Sequence, residues 1–536
     1  MRAAAARVCL GLSLALLLSP LASAAEPVDH AMVAKIRAEA FQRSQVMETL
    51  RGLTEGIGPR LTNSPAMAEA NRWTADRLRG WGLANVHQEP VEDFGRGWEF
   101  SSASVEMVSP RRMPMHALPK AWTPGTNGTV EGEVVIAKLD SMKALEEQRG
   151  KLRGKILLLS DARDYKPGTN PDFHRHDDAS LGDLQQSTVP PDRPAADRAQ
   201  DTRRWQERMA LQQAVNRFLE EEGVLAVIGI SGWDNGIIRV GGGGSRRAGE
   251  PVGVTDLAMI STHYNTLMRA VQRGQTPRLR INVDARFTDD ANQPAYNTIA
   301  ELPGGNRRDE IVMLGAHLDS WHTGTGASDN AAGVAVMMEA MRILKAVGAQ
   351  PRRTIRLGLW TAEEQGLIGS AAHVARHYAA HPEPTDPAQR ALPERLREPT
   401  GPLRRTRDHE RFSVYFNMDN GSGRIRGIYA QENFAAMPIF EAWLRPFHDI
   451  GATTVATRNT GSTDHIPFDR VGLPGFQFIQ DRLDYFTNVH HSHLDTLDHV
   501  PPEDLKQAAA IIATFAWHAA TRDEKMPRKP LVDEQG

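Results

Sequence analysis

Apolar runs alternate with apolar helical patterns along the second half of the chain, from Tyr296 onward. The runs cover residues 311–314, 355–360, 412–416 and 476–479, and residues 331–346 form an apolar segment of helical length between the first two. Strands that are apolar on both faces are typical of a sheet covered by helices on both sides. We therefore predict an α/β fold with a mixed, mostly parallel sheet between helices.

The first half of the chain has a different pattern. Apolar residues recur at helical spacing from Ala31 to about Glu92, and residues 55–60 interrupt them with a loop rich in Gly and Pro. We interpret this stretch as two helices. Short strand patterns then follow at 131–137, 154–159, 224–230 and 279–283. They predict a small β-rich domain inserted at 128–285.

The N-terminus carries the pattern of an export signal. Arg2 and Arg7 precede an apolar run at residues 10–21, and small residues at 22–24 offer a cleavage site after Ala24. We predict a periplasmic or secreted protein that has no membrane segment once the signal is removed. The predicted divisions are a signal peptide at 1–24, an N-terminal part of the main domain at 25–127, the insert at 128–285, a catalytic core at 286–523 and a disordered tail at 524–536.

Composition narrows the function further. The 536 residues contain 63 Lys and Arg against 66 Asp and Glu, a net charge of -3 without a basic stripe, so a nucleic-acid partner is not expected. Cys9 is the single cysteine and lies in the predicted signal. The mature chain would therefore have neither disulfides nor a cysteine-ligated metal.

Acidic and histidine residues follow each apolar run of the second half. His317 and Asp319 follow the first run, Glu363 and Glu364 the second, and Asp419 the third. In open α/β sheets, ligands bind outside the carboxyl ends of the strands. Asp329 precedes the apolar helix, and a histidine-rich segment at 490–496 follows the last run. These residues together predict a catalytic site along the carboxyl edge of the sheet, and we call them the rim residues.

Histidine and carboxylate without sulfur form the ligand set of a hydrolytic zinc site. A carboxylate shared between two zinc ions holds them about 3.5–4 Å apart, and Asp329 is our candidate for that bridge. Hydrolysis also needs a carboxylate that does not bind metal and moves a proton instead. The adjacent Glu363 and Glu364 can supply the two separate roles.

Five segments resemble the bimetallic zinc exopeptidase family, which includes leucyl-type bacterial aminopeptidases, glutamate carboxypeptidase and carboxypeptidase Q. The segments are 315–320 (GAHLDS), 328–333 (SDNAAG), 361–366 (TAEEQG), 417–421 (NMDNG) and 491–496 (HSHLDT). The resemblance implies a zinc exopeptidase fold whose insert is similar to a protease-associated domain. Residues 320–321 and 490–493 look most like carboxypeptidase Q, which implies peptide substrates with a free carboxylate end.

The resemblance also implies a role for each site residue. His317 and Asp419 would bind one zinc ion, Glu364 and His491 the other, with Asp329 between the two ions. Glu363 would be the general base, and Asp319 would orient the imidazole of His317. Asp464, Tyr485 and Asp495 would form the next layer of the site or contact the substrate.

Several alternatives stay open at this point. The chain could be an aminopeptidase of the same family, a single-zinc glutaminyl cyclase or a receptor-like ectodomain without activity, although the complete ligand set disfavours the last two. Homodimerisation is also open. Arg424 and Arg426 could clamp a substrate carboxylate or simply lie at the surface. His490 and His493 flank His491 and are more typical of structural residues.

Overall fold

The computed structural model describes residues 26–164, 166, 168–186, 195–390, 392, 396–398 and 400–530. The predicted signal peptide, its cleavage site and Cys9 lie outside the described residues. Within the described part of the chain, no helix is both long and apolar enough to cross a membrane.

Eighteen strands are described, and most of them belong to two eight-stranded sheets. In chain order they are β1 (Ala84–Gly95), β2 (Trp98–Ser109), β3 (Met113–Met115), β4 (Ala117–Pro119), β5 (Val130–Ile136), β6 (Lys155–Leu158), β7 (Ala226–Ile230), β8 (Thr255–Met259), β9 (Arg278–Phe287), β10 (Gln293–Leu302), β11 (Arg307–His317), β12 (Arg353–Trp360), β13 (Ala379–Ala380), β14 (Arg404–Arg405), β15 (Phe412–Asn417), β16 (Ile425–Tyr429), β17 (Thr454–Ala456) and β18 (Gly475–Gln480).

Helices connect and cover these strands. In chain order the described α-helices are α1 (His30–Gln42), α2 (Val46–Arg51), α3 (Pro65–Gly80), α4 (Met142–Gln148), α5 (Asp178–Gln185), α6 (Ala195–Glu222), α7 (Ser261–Gln272), α8 (Ala332–Ala346), α9 (Ile368–His377), α10 (Pro387–Arg390), α11 (Arg407–Arg411), α12 (Met437–Leu444), α13 (Ile466–Arg470) and α14 (Pro502–Thr521).

The first sheet has the strand order β1–β10–β12–β11–β15–β18–β16–β17. Its central strands β12, β11, β15 and β18 run parallel. Strands β1 and β10 pair antiparallel with their neighbours, and β16 pairs antiparallel with β18 and parallel with β17. This arrangement confirms the predicted mixed, mostly parallel sheet. Since parallel strands end at the same edge, the carboxyl ends of the four central strands lie together.

Apolar helices cover the first sheet because its central strands are buried on both faces. Helix α8 is buried on every side from Ala332 to Leu344 and packs with α14 against β11 and β12. Such a helix is stable only in an interior position, and its two buried charged residues, Glu339 and Arg342, pair with each other. On the opposite face, the aromatic rings of Tyr415 and Phe468 stack 4.3 Å apart. The site edge is therefore supported by a rigid, closely packed core.

The second sheet has the order β3–β2–β9–β5–β6–β7–β8–β4 and contains the strands of the predicted insert. Its strands β5 to β8 are parallel, and β2, β3 and β9 continue it antiparallel. Phe218 and Leu219 of α6 cover one face, and Leu267 and Met268 of α7 cover the other. The sheet starts at Trp98, upstream of the predicted insert boundary. The likeness to a protease-associated domain stays a prediction.

Two local predictions are wrong. The helical pattern ends at Gly80, and residues 84–92 lie in strand β1; Gly82, with a φ of +76°, follows the helix in a conformation that favours glycine. The tail is ordered over residues 524–530. Met526 is buried, and Arg528 donates hydrogen bonds to the backbone oxygens of His409 and Phe412. These contacts replace hydrogen bonds to water, so this part of the tail is fixed to the core.

Candidate active site

Chemically active side chains gather at the carboxyl edge of the first sheet. His317 is the last residue of β11, Glu363 and Glu364 follow β12, and Asp419 follows β15. Asp329 lies in a short turn at Ala327–Ala331 that leads into α8, where its φ of -124° departs from the helical conformation. The predicted rim residues therefore come together from separate parts of the chain.

Three of these side chains form a first cluster in the interior. The Nε2 atom of His317 lies 3.2 Å from Oδ1 of Asp419 and 3.3 Å from Oδ1 of Asp329. The three residues are between 1% and 8% exposed. Burial opposes protonation of His317, yet the carboxylates of Asp419 and Glu363 raise its pKa well above the usual value. The cluster thus concentrates negative charge around one imidazole.

A second cluster uses the other oxygen of Asp329. The Nε2 atom of His491 lies 3.0 Å from Oε2 of Glu364 and 3.4 Å from Oδ2 of Asp329. Asp329 therefore offers one carboxylate oxygen to each cluster. The arrangement agrees with the predicted ligand sets, in which His317 and Asp419 stand on one side of Asp329 and Glu364 and His491 on the other.

The buried atoms of this centre suit bound cations. Oδ2 of Asp329 and Oε1 of Glu364 are buried and have no hydrogen-bond partner among the described residues. Burial and the neighbouring Asp329 raise the pKa of Glu364 well above its usual range. Unpaired buried carboxylates are costly unless a cation or hydrogen bond compensates them. The donor set of imidazole and carboxylate, without sulfur, is one that zinc accepts.

Asp319 holds the loop of the two glutamates. Its carboxylate accepts hydrogen bonds from the backbone N–H groups of Glu363 at 3.2 Å and Glu364 at 3.3 Å, and from the hydroxyl of Thr62 at 3.1 Å. The Nδ1 atom of His317 donates instead to the backbone oxygen of Asp319 over 3.0 Å, while the carboxylate is 3.7 Å away. With Nδ1 used in this way, Nε2 of His317 faces Asp329 and Asp419 and is the ring atom that would bind a cation in place of its proton.

Glu363 stands beside the clusters and takes no part in the close contacts that define them. Burial raises the pKa of its carboxyl group well above the usual range; the positive field of His317 opposes the shift, and Asp419 and Asp464 add to it. Ala362, just before it, has a φ of +56°, a conformation that residues with side chains seldom adopt. A carboxyl group with a raised pKa at a site edge is suited to exchange a proton.

The remaining predicted residues lie close to the centre. Asp495 accepts hydrogen bonds from the backbone N–H groups of Ser328 and Asp329, and burial raises its pKa to about 7. Asp464 accepts a 2.5 Å hydrogen bond from Ser370, and burial raises its pKa to about 7 as well. Tyr485 is buried with its ring 5.0 Å from that of His490.

One arginine from the second sheet reaches this centre, and sequence reasoning missed it. Nη2 of Arg239 lies 3.1 Å from Nδ1 of His490 and 3.4 Å from Nδ1 of His491. The backbone supports the contact, since Val240 N–H donates to the oxygen of His491 and Ile238 N–H donates to Nδ1 of His493. No motif or periodicity marks Arg239, and only the tertiary structure brings it to the site.

The arginines that the sequence suggested are occupied elsewhere. Arg424 pairs with Asp504, and Arg426 pairs with Asp481 and donates to the backbone oxygen of Gly451. His490 accepts the Arg239 hydrogen bond at Nδ1, and its Nε2 is 3.8 Å from Asp329, farther than that of His491. The geometry therefore favours His491 over His490 as the ligand.

Comparison with known proteins agrees with this geometry. Residues 297–516, which contain the whole predicted ligand set, match the model of Peptidase family M28. This part of the chain is similar to the M28 peptidases. The predictions of the enzyme class, a metallopeptidase, and of the family resemblance are confirmed.

Relatives of the M28 domain extend the likeness over most of the chain. Carboxypeptidase Q of Mus musculus is 27% identical over 482 residues, which cover 90% of this chain and 87% of the relative. A peptidase M28 precursor from Shewanella amazonensis SB2B has a TM-score of 0.64 at 23% identity, with 94% of this chain and 99% of that chain covered. A zinc aminopeptidase from Bacillus subtilis has a TM-score of 0.54 at 20% identity, with 90% and 96% covered. The two structures confirm the predicted fold.

Proposed function

We propose that the chain is a di-zinc exopeptidase that removes a terminal residue from short peptides as a carboxypeptidase or dipeptidase. The observation that carries the proposal is the division of the Asp329 carboxylate between two clusters, one with His317 and Asp419 and one with Glu364 and His491. A shared carboxylate is the usual way to hold two catalytic metal ions close together.

The residues of the chain would then have separate tasks. Two zinc ions at this centre would polarise the scissile carbonyl and make a water molecule acidic. Glu363 takes a proton from the attacking water and gives it to the leaving amine. Asp319 fixes the backbone of Glu363 and Glu364, which keeps the base and the ligand on their respective sides of the loop.

The position of Arg239 supports the proposal that the enzyme recognises the free carboxylate end of its peptide substrate. Its guanidinium is fixed by His490 and packs 5.2 Å from the ring centroid of Trp233. A guanidinium has five N–H donors and matches a carboxylate in geometry, so Arg239 can bind the free carboxylate of a short peptide. The likeness to carboxypeptidase Q supports the same choice. The pattern of residues 1–24 supports export to the periplasm or medium.

The test uses purified mature chain, metal analysis and three matched dipeptides. We expect close to two zinc ions per chain, loss of activity on chelation and recovery with zinc. A carboxypeptidase should cleave an N-acetylated dipeptide with a free carboxylate, and a strict dipeptidase should not. In both cases a dipeptide amide with a free amine should be cleaved poorly beside the unmodified dipeptide. The opposite preference would identify an aminopeptidase, and an active preparation without transition metal would exclude the di-zinc centre.

A further inference from the structure

A second group of side chains that could bind a metal ion lies outside the catalytic centre. It consists of Glu89 on β1 and of His373 and His377 on α9. The ligand atoms of the three side chains all lie within 4.8 Å of one another. We propose that Glu89, His373 and His377 form an additional zinc site, because they bring two imidazoles and one carboxylate to a single point.

The helix provides the two histidines at the correct spacing. Residues four positions apart lie on the same face of a helix, and two such histidines are a recurrent zinc-binding pair. In this structure the imidazole centroids of His373 and His377 are 4.5 Å apart. Three protein ligands with an open fourth position are sufficient for tetrahedral zinc.

The carboxylate of Glu89 lies between the two imidazoles. Its Oε1 is 3.0 Å from Nδ1 of His373, and its Oε2 is 2.5 Å from Nε2 of His377. Glu89 is 5% exposed, so its charge needs compensation from inside the protein. The three side chains are therefore held in place before any ion arrives.

The site is open to solvent on one side. The side chain of His377 is 34% exposed, which leaves room for a water ligand. His373 is buried and lies on the inner side of the site.

The position of the site gives it a structural role. Asn297 donates to Oε1 of Glu89 at 3.4 Å and to the backbone oxygen of Gly369 at 3.0 Å, and its own side-chain oxygen accepts from the N–H of Thr361 at 3.1 Å. An ion on Glu89 and α9 would thus secure both ends of the loop at residues 361–369. It would add to stability rather than take part in the reaction.

The positive charge of Arg376 opposes the binding of a cation at this site and provides a control. Nη1 of Arg376 lies 3.6 Å from Oε1 of Glu89, and its side chain is 37% exposed. A guanidinium at this distance repels a cation, and at the protein surface the repulsion is modest because solvent screens it. Replacing Arg376 by Gln should therefore strengthen zinc binding by about three- to tenfold.

The alternative is a hydrogen-bonded cluster without metal, in which both imidazoles donate to Glu89. That cluster would not bind zinc, so the substitution of Arg376 would leave zinc binding unchanged. The two explanations thus predict different effects of the same substitution on zinc binding.

The experiment separates this site from the catalytic centre, and its outcome does not depend on the proposed function. The full chain with His317→Ala and Asp329→Ala is stripped with a chelator, dialysed against zinc and analysed for metal. We expect about one zinc ion per chain to remain, and His377→Asn in the same background to remove it. Zinc should raise the Tm of the background protein and not that of the His377→Asn form.

Arg376→Gln provides a second test, which remains valid if the His377→Asn variant does not fold. In a competition with a chromophoric chelator, this variant should bind zinc more tightly than the background protein. The proposal is overturned if the background protein retains no zinc, if His377→Asn retains as much as the background, or if Arg376→Gln does not strengthen binding.

Discussion

The carboxylate of Asp495 accepts a hydrogen bond from the backbone N–H of Asp329 over 3.0 Å, and a second one from Ser328 over 2.6 Å. Both bonds are buried and fix the turn in which Asp329 stands between the two clusters. Since Asp495 contacts the backbone of a ligand rather than the ion, it positions Asp329.

This relationship predicts the effect of Asp495→Asn. An amide can turn its N–H₂ group toward one of the two backbone donors, so one hydrogen bond is lost and Asp329 is less well fixed. We expect the zinc affinity to fall by about 10–100-fold, the usual effect of removing a residue that orients a ligand. Chelator competition measures the affinity. Asp498→Asn, at an exposed position of the same segment, is the control and should leave zinc binding unchanged.

Substitution of the two adjacent glutamates should impair the enzyme in different ways. Glu363→Gln keeps the shape of the side chain and removes the base, so turnover should fall by about 10²–10⁴-fold while the zinc content stays the same. Glu364→Gln weakens a ligand, so zinc and activity should fall together and excess zinc should restore part of the activity. Metal analysis and kcat measured on the same preparations check both. Loss of zinc in the Glu363 variant alone would reverse the two assignments.

The pair of His499 and Asp484, which lies in the segment that carries His491, should make the stability of the folded chain depend on pH. Nδ1 of His499 lies 2.7 Å from Oδ2 of Asp484. The hydrogen bond that His499 donates to the Asp484 carboxylate raises the pKa of His499 above its usual 6.5. A raised histidine pKa stabilises the folded chain fully below pH 6.5, and the stabilisation is lost as the pH rises through the folded-state pKa.

Asp484→Asn removes the carboxylate and with it this pH dependence. The difference in unfolding free energy between wild type and variant should therefore be larger at pH 6 than at pH 9. Denaturant unfolding of the metal-free proteins at both pH values measures it. A difference that is the same at both pH values would mean that the pair with Asp484 does not hold a charged His499 in the folded protein.

Arg60 should be needed for stability. Its buried guanidinium donates to the backbone oxygens of Leu318 at 2.8 Å, Thr325 at 2.7 Å and Gly326 at 2.9 Å. Arg60→Met leaves these oxygens unpaired in the interior and should cost about 3 kcal/mol or more in unfolding free energy. The exposed Arg72, paired with Glu69, is the control; Arg72→Met should change stability by less than about 0.5 kcal/mol. Urea unfolding of both variants tests the comparison.

The sequence predicted the centre of the fold because its signals are local. The run that ends at His317 and the run before Asp419 are apolar enough to be recognised as buried strands, and the residue after a buried strand lies at the sheet edge. The same reasoning failed at residues 84–92, because Val86 and Val91 suit a helix or a strand. Pairing with β10 decides for the strand, and that pairing is not visible locally.

The contribution of the second sheet to the site could not be predicted either. Arg239 lies in a glycine-rich segment without periodicity, and its contact with His490 joins residues 251 positions apart. Arg424 and Arg426 were candidates because they follow the Asp419 motif. In the folded chain their carboxylate partners are Asp504 and Asp481, which sequence proximity does not reveal.

Arg239 provides the most specific test of the proposed substrate class. If its guanidinium binds the free carboxylate of the peptide, Arg239→Gln should lower kcat/KM for unmodified and N-acetylated dipeptides by about 10–100-fold, the value of a hydrogen bond to a charged group. The loss should appear mainly in KM, because the contact exists before and during the reaction. The slow cleavage of dipeptide amides should not change, since they have no carboxylate to bind.

Arg239→Lys keeps the charge without the planar fork and should recover part of the activity. Arg247→Gln, at an exposed position of the same segment, is the matched control and should behave as wild type. Equal losses on amide and carboxylate substrates would mean that Arg239 acts through His490 and His491 instead, and the carboxypeptidase assignment would then lose its structural basis.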